Sequence, residues 1–308
     1  MRAPAKLGAY AAVLVAVLAA GAGVGAAVGP LDDGDDAAEM PHEMDTTTTI
    51  AEKPEEGSDM PAGLSASEAG YTFAPDDTTF APGVAEAFTF RILGPDEAPV
   101  TDFDTRHEQD LHLVVVSDDL ADYQHLHPAL SSDGTWSTKL GLPRAGGYRA
   151  YADFAAAGAE PLTLGVDLLV AGELAPQPLP APASTATVDG YEVRLDGDVT
   201  AGAEGELRFT VARDGAQVTD LEPYLGAFGH LVAIRASDHA YLHVHPTEDS
   251  SPEEVTFGVH VPSPGAYRLF LDFQHEGAVR TASFTLDVPA GATTGGAHDE
   301  GAGGHGGH

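Results

Sequence analysis

The 308-residue chain contains no cysteine. This absence excludes disulfide bonds, zinc–thiolate sites, iron–sulfur clusters and a cysteine-ligated blue copper centre. Basic residues are also scarce, since 14 Lys and Arg stand against 48 Asp and Glu and the formal net charge is −34. Such an acidic surface repels nucleic acid and anionic lipid and concentrates cations. We expect no nucleic-acid partner, although salt adaptation or solubility alone would also explain the charge.

The short motifs of common enzyme classes are absent as well. The sequence has no Gly-x-Ser-x-Gly, no Walker loop and no His-Glu-x-x-His. No other nucleophile and base stand together in a recognisable pattern. We therefore expect that the protein is not an enzyme.

A long hydrophobic run occurs at the N-terminus. Arg2 and Lys6 are followed by no charged residue until Asp32, and residues 8–28 are mostly Ala, Val, Leu and Gly. A basic start followed by about 20 apolar residues predicts a signal peptide or a single transmembrane anchor. The positive flank places the rest of the chain outside the cytoplasm. We expect a cell-membrane protein with extracellular domains, or a secreted protein if the segment is cleaved.

The rest of the sequence is organised as an internal repeat. Val100-Thr101-Asp102, His112 and the His-x-His-Pro of residues 125–128 all recur 118 positions later, as 230 − 112 and 243 − 125 show. A fixed period indicates two copies of one folded unit. Further shared pairs, such as Asp153 and Asp272, are interpreted as positions that maintain the fold. The repeated histidines are His112, His125 and His127 in the first copy and His230, His243 and His245 in the second.

Each copy has the pattern of an antiparallel β-structure. Apolar and polar residues alternate, as in Glu206–Val211, and turn pairs such as Asp133-Gly134 and Asp214-Gly215 separate short runs. No long segment has the helical period of 3.6 residues. About seven strands in roughly 100 residues is the size of an immunoglobulin-like domain. The sequence therefore predicts an all-β protein with two tandem immunoglobulin-like or cupredoxin-like β-sandwich domains after an N-terminal hydrophobic helix.

Composition divides the chain into six parts. Proline and alanine dominate the segment between the copies, which is typical of an extended linker. Acidic and glycine-rich stretches flank the copies and are too polar to form a core. The predicted parts are a signal or anchor segment 1–30, a disordered acidic spacer 31–66, a first sandwich 67–171, a linker 172–187, a second sandwich 188–289 and a disordered Gly/His-rich tail 290–308.

The histidine spacing predicts side chains that share one face of a sheet. In a strand, residues i and i+2 point to the same side, so His125 and His127 project together, as do their counterparts in the second copy. His112 begins the preceding strand. It joins the pair only if the connecting loop has an even number of residues, because an odd loop or a bulge turns it to the other face. The sequence leaves this parity open.

Three neutral imidazoles around one point, with an open fourth position, suit zinc or copper. We therefore predict one three-His metal site in each domain, separated by the linker. His275 has no counterpart in the first copy and is expected to be a fourth ligand in the second domain only. The alternative is that these histidines are ordinary polar residues on a sheet surface. Three further unmatched histidines are interpreted as surface residues: His107, His239 and His260.

Four stretches of the two copies carry a resemblance to known proteins. The stretches are Asp110–Val116, Gln124–Pro128, Asp133–Thr138 and Tyr224–Leu231. They resemble secreted or membrane-anchored proteins of actinobacteria that are labelled heavy-metal-binding or uncharacterised. The resemblance covers both copies and the N-terminal hydrophobic segment. It implies extracytoplasmic handling of a metal, with copper as one candidate.

The function expected from these features is that of an extracytoplasmic metal-binding protein that buffers, stores or transfers copper or zinc. Its partners would be metal ions and a membrane metal transporter or a metallochaperone. The main alternative is an immunoglobulin-like adhesion or interaction module without metal. A dismutase-like metalloenzyme is a further alternative, because His-x-His on a β-sandwich is similar to copper–zinc superoxide dismutase. That likeness is confined to the tripeptide, and the chain has no cysteine for the dismutase disulfide.

Overall fold

The structure, a computed structural model, describes residues 61–242, 244–247 and 249–291, and the side chain of His245 is not described. The predicted signal or anchor segment, the predicted spacer up to residue 60 and the predicted tail from residue 292 lie outside these ranges. The described residues form strands, turns and loops without a helix. Accordingly, no helix in the described ranges is long and apolar enough to cross a membrane.

The first repeat, described throughout from residue 61, folds into ten strands: β1 (Ser67–Glu68), β2 (Tyr71–Pro75), β3 (Thr79–Phe80), β4 (Ala85–Leu93), β5 (Leu111–Ser117), β6 (Tyr123–Leu126), β7 (Ala129–Leu130), β8 (Thr135–Gly141), β9 (Gly146–Phe154) and β10 (Leu162–Val170). They form two sheets, in the orders β1-β2-β4-β8-β7 and β3-β10-β9-β5-β6. The pair β3 and β10 is parallel, whereas β5 is antiparallel to both of its neighbours.

The described part of the second repeat also folds into ten strands: β11 (Thr185–Val188), β12 (Tyr191–Asp196), β13 (Glu204–Arg213), β14 (Ala216–Gln217), β15 (His230–Arg235), β16 (Tyr241–Leu242), β17 (His245–Pro246), β18 (Val255–His260), β19 (Gly265–His275) and β20 (Ala278–Val288). One sheet has the order β11-β12-β13-β18-β17, with β14 beside β13, and the other has the order β16-β15-β19-β20. The exposed residues 171–184 connect the two sandwiches.

Each sandwich has its own apolar core, built from alternate residues of its strands. In β4, Phe88, Phe90 and Ile92 point inward, and β12 alternates buried and exposed residues along its whole length. Burying one such side chain contributes about 1.5–3 kcal/mol. The prediction of two tandem β-sandwich domains of the immunoglobulin-like kind is thus confirmed.

Strands β5 and β15 are buried on both faces, unlike an ordinary sandwich strand with one solvated face. All seven residues of β5 are buried. Leu113 and Val115 belong to the core of the first sandwich, whereas Val114 and Val116 belong to a different cluster that contains residues of the second repeat. The outer faces of the two sheets therefore pack against each other.

Equivalent positions of the two repeats form this interface. Tyr123 stacks on Phe270 with ring centroids 4.1 Å apart, and the Tyr151 hydroxyl donates to the carbonyl oxygen of His239 at 2.7 Å. The equivalent pair, Tyr151 and Tyr241, also meets, with ring centroids 5.3 Å apart, and these reciprocal contacts relate the two sheets by an approximate two-fold axis. The buried members of the interface cluster are Val114, Val116, Leu120 and Tyr151 from the first repeat and Val232, Ile234, Tyr241 and Phe270 from the second.

Residues 61–66 are ordered, so the prediction that a disordered spacer reaches residue 66 is wrong for these six positions. The Gly63 amide donates to the carbonyl of Thr163 at 2.9 Å, and the Gly63 carbonyl accepts from Arg149 Nε at 2.9 Å. Ala62 packs against the interface cluster. A backbone hydrogen bond to β10 and a bond from the Arg149 side chain of β9 fix this short segment, which composition alone does not reveal.

We expect Phe270→Ala to weaken the docking of the two repeats while leaving both cores intact. The substitution removes a buried ring that stacks on Tyr123, and such a loss costs about 3–5 kcal/mol. Thermal or denaturant unfolding should then separate into two transitions. Phe284→Ala, which empties the core of the second sandwich instead, is the matched control and should lower the midpoint without splitting the transition. A single sharp transition at the wild-type midpoint for Phe270→Ala would show that the Phe270 ring does not contribute to the docking of the repeats.

Candidate metal centre

The register of β5 and β6 settles on which face His112 lies. Leu113 pairs with Leu126 and Val114 pairs with His125, so four residues, 118–121, form the loop. The Ser117 amide closes this loop on the Asp122 carbonyl at 3.1 Å. With an even loop, His112 lies opposite His127 and on the same face as His125. The same-face arrangement is therefore the one that forms.

The three histidines of the first repeat converge on one point. One ring nitrogen from each of His112, His125 and His127 lies within 4.8 Å of the others. The ring centroids are separated by 5.2 Å, 5.1 Å and 4.9 Å. A tetrahedral ion bonded at 2.0–2.1 Å to three imidazoles places their centroids about 5 Å apart. The spacing of the rings thus fits a single zinc or copper ion.

A backbone carbonyl fixes the outer nitrogen of His112. His112 Nε2 lies 3.1 Å from the carbonyl oxygen of Arg106, and since a carbonyl only accepts, Nε2 carries the hydrogen. This carbonyl belongs to a tight two-residue turn whose central residues, His107 and Glu108, have positive φ angles of 46° and 62°. His112 Nδ1 is therefore the nitrogen with a lone pair, and it faces His125 Nε2 at 3.0 Å.

A carboxylate of the other repeat fixes the outer nitrogen of His125. His125 Nδ1 donates to Oδ2 of Asp272, on strand β19, at 2.9 Å. The buried Asp272 also accepts from the Tyr123 hydroxyl at 3.0 Å and from the Thr281 hydroxyl at 2.5 Å. Burial, followed by the charge of Asp272, raises the pKa of Tyr123, so the phenol stays protonated and donates. His125 Nε2 is thus left with its lone pair directed at His112.

The third nitrogen has no partner. His127 Nε2 is buried and accepts or donates no hydrogen bond among the described residues. Leaving a buried polar atom unpaired costs about 1–3 kcal/mol. Together, His112 and His125 direct two lone pairs at each other across 3.0 Å, and a ring nitrogen of His127 lies within 4.8 Å of both. A cation between these nitrogens would satisfy them, and outer partners of the kind held by His112 and His125 orient metal-binding histidines in proteins.

Burial favours the neutral form of His112, His127 and His230. Desolvation is the main cause that lowers the pKa of His112 to about 4 and the pKa of His127 to about 3, with the neighbouring His125 as the second cause for both. Desolvation likewise lowers the pKa of His230 to about 4. Neutral imidazole is the form that binds metal. At neutral pH each of these three rings therefore keeps one nitrogen without a hydrogen.

The second repeat places its first histidine beside this centre. His230 lies in the same register as His112, since Ala233 pairs with Leu242. Its Nε2 donates to the Tyr224 carbonyl at 2.8 Å, as His112 donates to Arg106. The ring centroid of His230 lies 6.4 Å from those of both His112 and His125. The prediction of two sites kept apart by the linker is therefore wrong for His230. His243 lies outside the described residues, and His245 has no described side chain.

A small cavity of about 40 Å³ joins the histidines of the two repeats. Its lining includes His112, His125, His230 and Asp153, together with His107. The interpretation of His107 as a surface residue is wrong, because its ring lies 5.4 Å from that of His230. The sequence signal that places His107 near the cluster is its position in the turn just before His112. Because the second repeat has no histidine at the equivalent position, the comparison of the two repeats does not reveal this signal.

His275 does not join the cluster. Its Nδ1 bonds to the Tyr191 hydroxyl at 2.8 Å, and its Nε2 donates to Asp220 at 3.2 Å. Along β19 it lies three positions after Asp272, on the opposite face of the sheet. The expectation that His275 completes a site in the second domain is therefore wrong. His260 is exposed beside Glu204.

The fold and the cluster define a two-repeat β-sandwich protein with histidines gathered where the repeats meet. The chain belongs to the family described as a domain of unknown function, DUF8832, whose model matches residues 66–168 and again residues 186–290. The duplication is therefore confirmed. No curated protein matches the chain in sequence.

Some solved structures are similar in fold. The Escherichia coli adhesin FdeC is 12% identical, with a TM-score of 0.24, over 72% of this chain and 64% of that one. Invasin, a bacterial integrin-binding protein, is 13% identical, with a TM-score of 0.23, over 72% of this chain and 39% of that one. The chain thus spans less than two thirds of either structure. Domains 4 and 5 of the S-layer protein SbsC are 10% identical, with a TM-score of 0.22, over 73% of this chain and 100% of that one. Likeness at this level carries no argument about function.

In the presence of a chelator, we expect the free energy of unfolding to fall as the pH decreases from 7 to 5. His112, His127 and His230 have lowered pKa values in the folded protein, so the unfolded chain, with ordinary imidazoles, takes up more protons in this range. Allowing for coupling and partial exposure, the loss should be on the order of 3 kcal/mol. His127→Gln should make the free energy of unfolding depend less steeply on pH. Denaturant titrations at each pH measure this free energy. A wild-type stability that does not change over this range would contradict the buried, neutral cluster.

Proposed function

We propose that this protein binds a copper or zinc ion outside the cytoplasm through His112, His125 and His127, and that it buffers, stores or passes on that ion. The observation that carries the proposal is the convergence of three ring nitrogens within 4.8 Å, with two of their outer nitrogens held by an oxygen acceptor. This arrangement leaves a lone pair of His112 and a lone pair of His125 directed inward.

The donor set restricts the metal class. Imidazole suits copper, zinc, iron and nickel, whereas magnesium and calcium require oxygen ligands. Irving–Williams order favours Cu²⁺ over Zn²⁺ in a site of nitrogen donors, so availability in the compartment decides between them. The net charge of −34 concentrates either cation near the protein.

A binding role fits the centre better than a catalytic role. His112 is buried, His125 and His127 are half-buried, and the adjoining cavity of about 40 Å³ is small beside the roughly 300–1,000 Å³ of ordinary ligand pockets. A substrate of that size has no room next to the ion. We therefore assign no reaction to the protein, and we expect the fourth position to be filled by water or by a ligand from a delivery partner.

Location and partner follow from the sequence. The resemblance to actinobacterial proteins labelled heavy-metal-binding and the hydrophobic N-terminal run both support a protein at the cell membrane or secreted from it. In that compartment the partner would be a membrane metal transporter or a metallochaperone. Such a partner would exchange the ion by offering a ligand at the open position.

The second candidate function is an adhesion or interaction module without metal. FdeC is an adhesin and invasin binds integrins, and both are among the structures with a similar fold. Under this alternative, the histidine cluster would serve only to hold the two repeats together. Metal binding in solution separates the two candidates.

We expect the purified chain to retain zinc or copper after dialysis against low concentrations of both ions. His127→Ala should weaken binding by more than the ~10–100-fold that outer partners of a ligand contribute, because a direct ligand is lost. His260→Ala, which removes an exposed histidine, is the matched control and should bind like the wild type. Elemental analysis measures the metal that each protein retains, and competition with a chromophoric chelator measures its affinity. Equal retention by His127→Ala and the wild type, or no retention by either, would favour the interaction module.

A further inference from the structure

The side chains around the candidate centre come from both repeats. The triad belongs to the first repeat, but the carboxylate that orients His125 belongs to the second. Building on the function proposed above, we propose that the metal centre is an inter-repeat site: the triad binds its ion tightly only while the second repeat is docked, and Asp272 is the positioning residue that conveys this dependence.

Asp272 is held as a fixed acceptor. Only 3% of its side chain is exposed, and its two oxygens accept from His125, Tyr123 and Thr281. In the β15–β19 register it pairs with His230, so it points toward the interface beside that residue. Its bond selects the tautomer in which His125 Nε2 has the lone pair. Without this acceptor, His125 Nδ1–H loses its partner and the ring is no longer locked.

The approximate two-fold axis creates the reciprocal arrangement around Asp153. This residue pairs with His112 across β5 and β9 and lines the cavity shared by the histidines. Burial, followed by the charge of Asp153, raises the pKa of Tyr241 in the second repeat. Each repeat therefore directs one carboxylate toward a buried tyrosine of the other. Two carboxylates near neutral imidazoles also offset the charge of a divalent cation in a buried site.

His230 closes the remaining side of the centre. Its distance of 6.4 Å from two rings of the triad is about an ångström longer than the spacing of direct ligands. The cavity of about 40 Å³ is lined by His230 together with His112 and His125. The second repeat thus contributes a ring beside the centre as well as orienting one ligand.

The first test compares two carboxylate variants of the full chain with zinc as the probe. Asp272→Ala should bind Zn²⁺ about 10–100-fold more weakly than the wild type, the usual effect of removing an outer partner. Asp220→Ala is the control, since it removes another Asp–His contact in the same repeat, 3.2 Å long and outside the cluster. It should leave the zinc affinity unchanged.

A spectroscopic readout separates positioning from general destabilisation. Nitrogen chemical shifts of His125 in the metal-free protein report which ring nitrogen carries the hydrogen. Asp272→Ala should abolish the fixed Nδ1–H form of His125, whereas Asp220→Ala should preserve it. An unchanged His125 tautomer in folded Asp272→Ala, with wild-type zinc affinity, would overturn the proposal.

The second test loosens the docking without touching a ligand or its partner. Phe270→Ala should lower the zinc affinity at least severalfold, because it removes the ring on which Tyr123 stacks. Phe284→Ala, assayed under conditions where it is folded, should not. Wild-type affinity in Phe270→Ala would overturn the inter-repeat dependence. If the wild type binds no zinc at all, the proposed function itself fails, and loss in His127→Ala with retention in Asp272→Ala and Phe270→Ala would reject only this inference.

Discussion

The burial of strands β5 and β15 on both faces is the constraint on which the rest of the structure depends. One face of each strand fills the core of its own sandwich, and the other face meets the second repeat. His112 and His230 lie at the start of these strands. Packing of the apolar middle of β5 against that of β15 therefore brings the two histidines together in a buried site. The same packing lowers the pKa values of His112 and His230. Apolar packing thus creates the conditions for a cluster of neutral imidazoles.

The sequence contained the fold and most of the first triad. Alternating patterns predicted the sandwiches, and the i, i+2 rule placed His125 beside His127. It left His112 undecided, because the parity of the loop depends on four residues that close it, including Leu120 with a positive φ of 55°. A one-residue difference in such a loop changes the face of every residue in the strand.

The interface between the repeats escaped prediction, and with it the shared nature of the centre. A signal was present, since Leu111–Ser117 is an almost unbroken apolar run, which is typical of a strand covered on both sides. Asp272 was interpreted as a position that maintains the fold, although it contacts a histidine 147 residues earlier. The prediction of His275 as a fourth ligand is wrong because its closeness in sequence to Asp272 does not show which way the side chain faces. In the structure its ring bonds to the Tyr191 hydroxyl. Long-range pairing of this kind is set by packing between domains, which periodicity within one strand does not report.

The approximate two-fold axis has a consequence for the ancestry of the chain. When equivalent surfaces of two identical units meet about such an axis, the contact is isologous and needs no second sequence. A single ancestral repeat would therefore have formed the same contact as a homodimer, with the carboxylate at the position of Asp153 and Asp272 serving the histidine of its partner. The connection through residues 171–184 makes that contact intramolecular and independent of concentration. Within one chain the two halves can also differ, and His107 and His275 each occur in one repeat only.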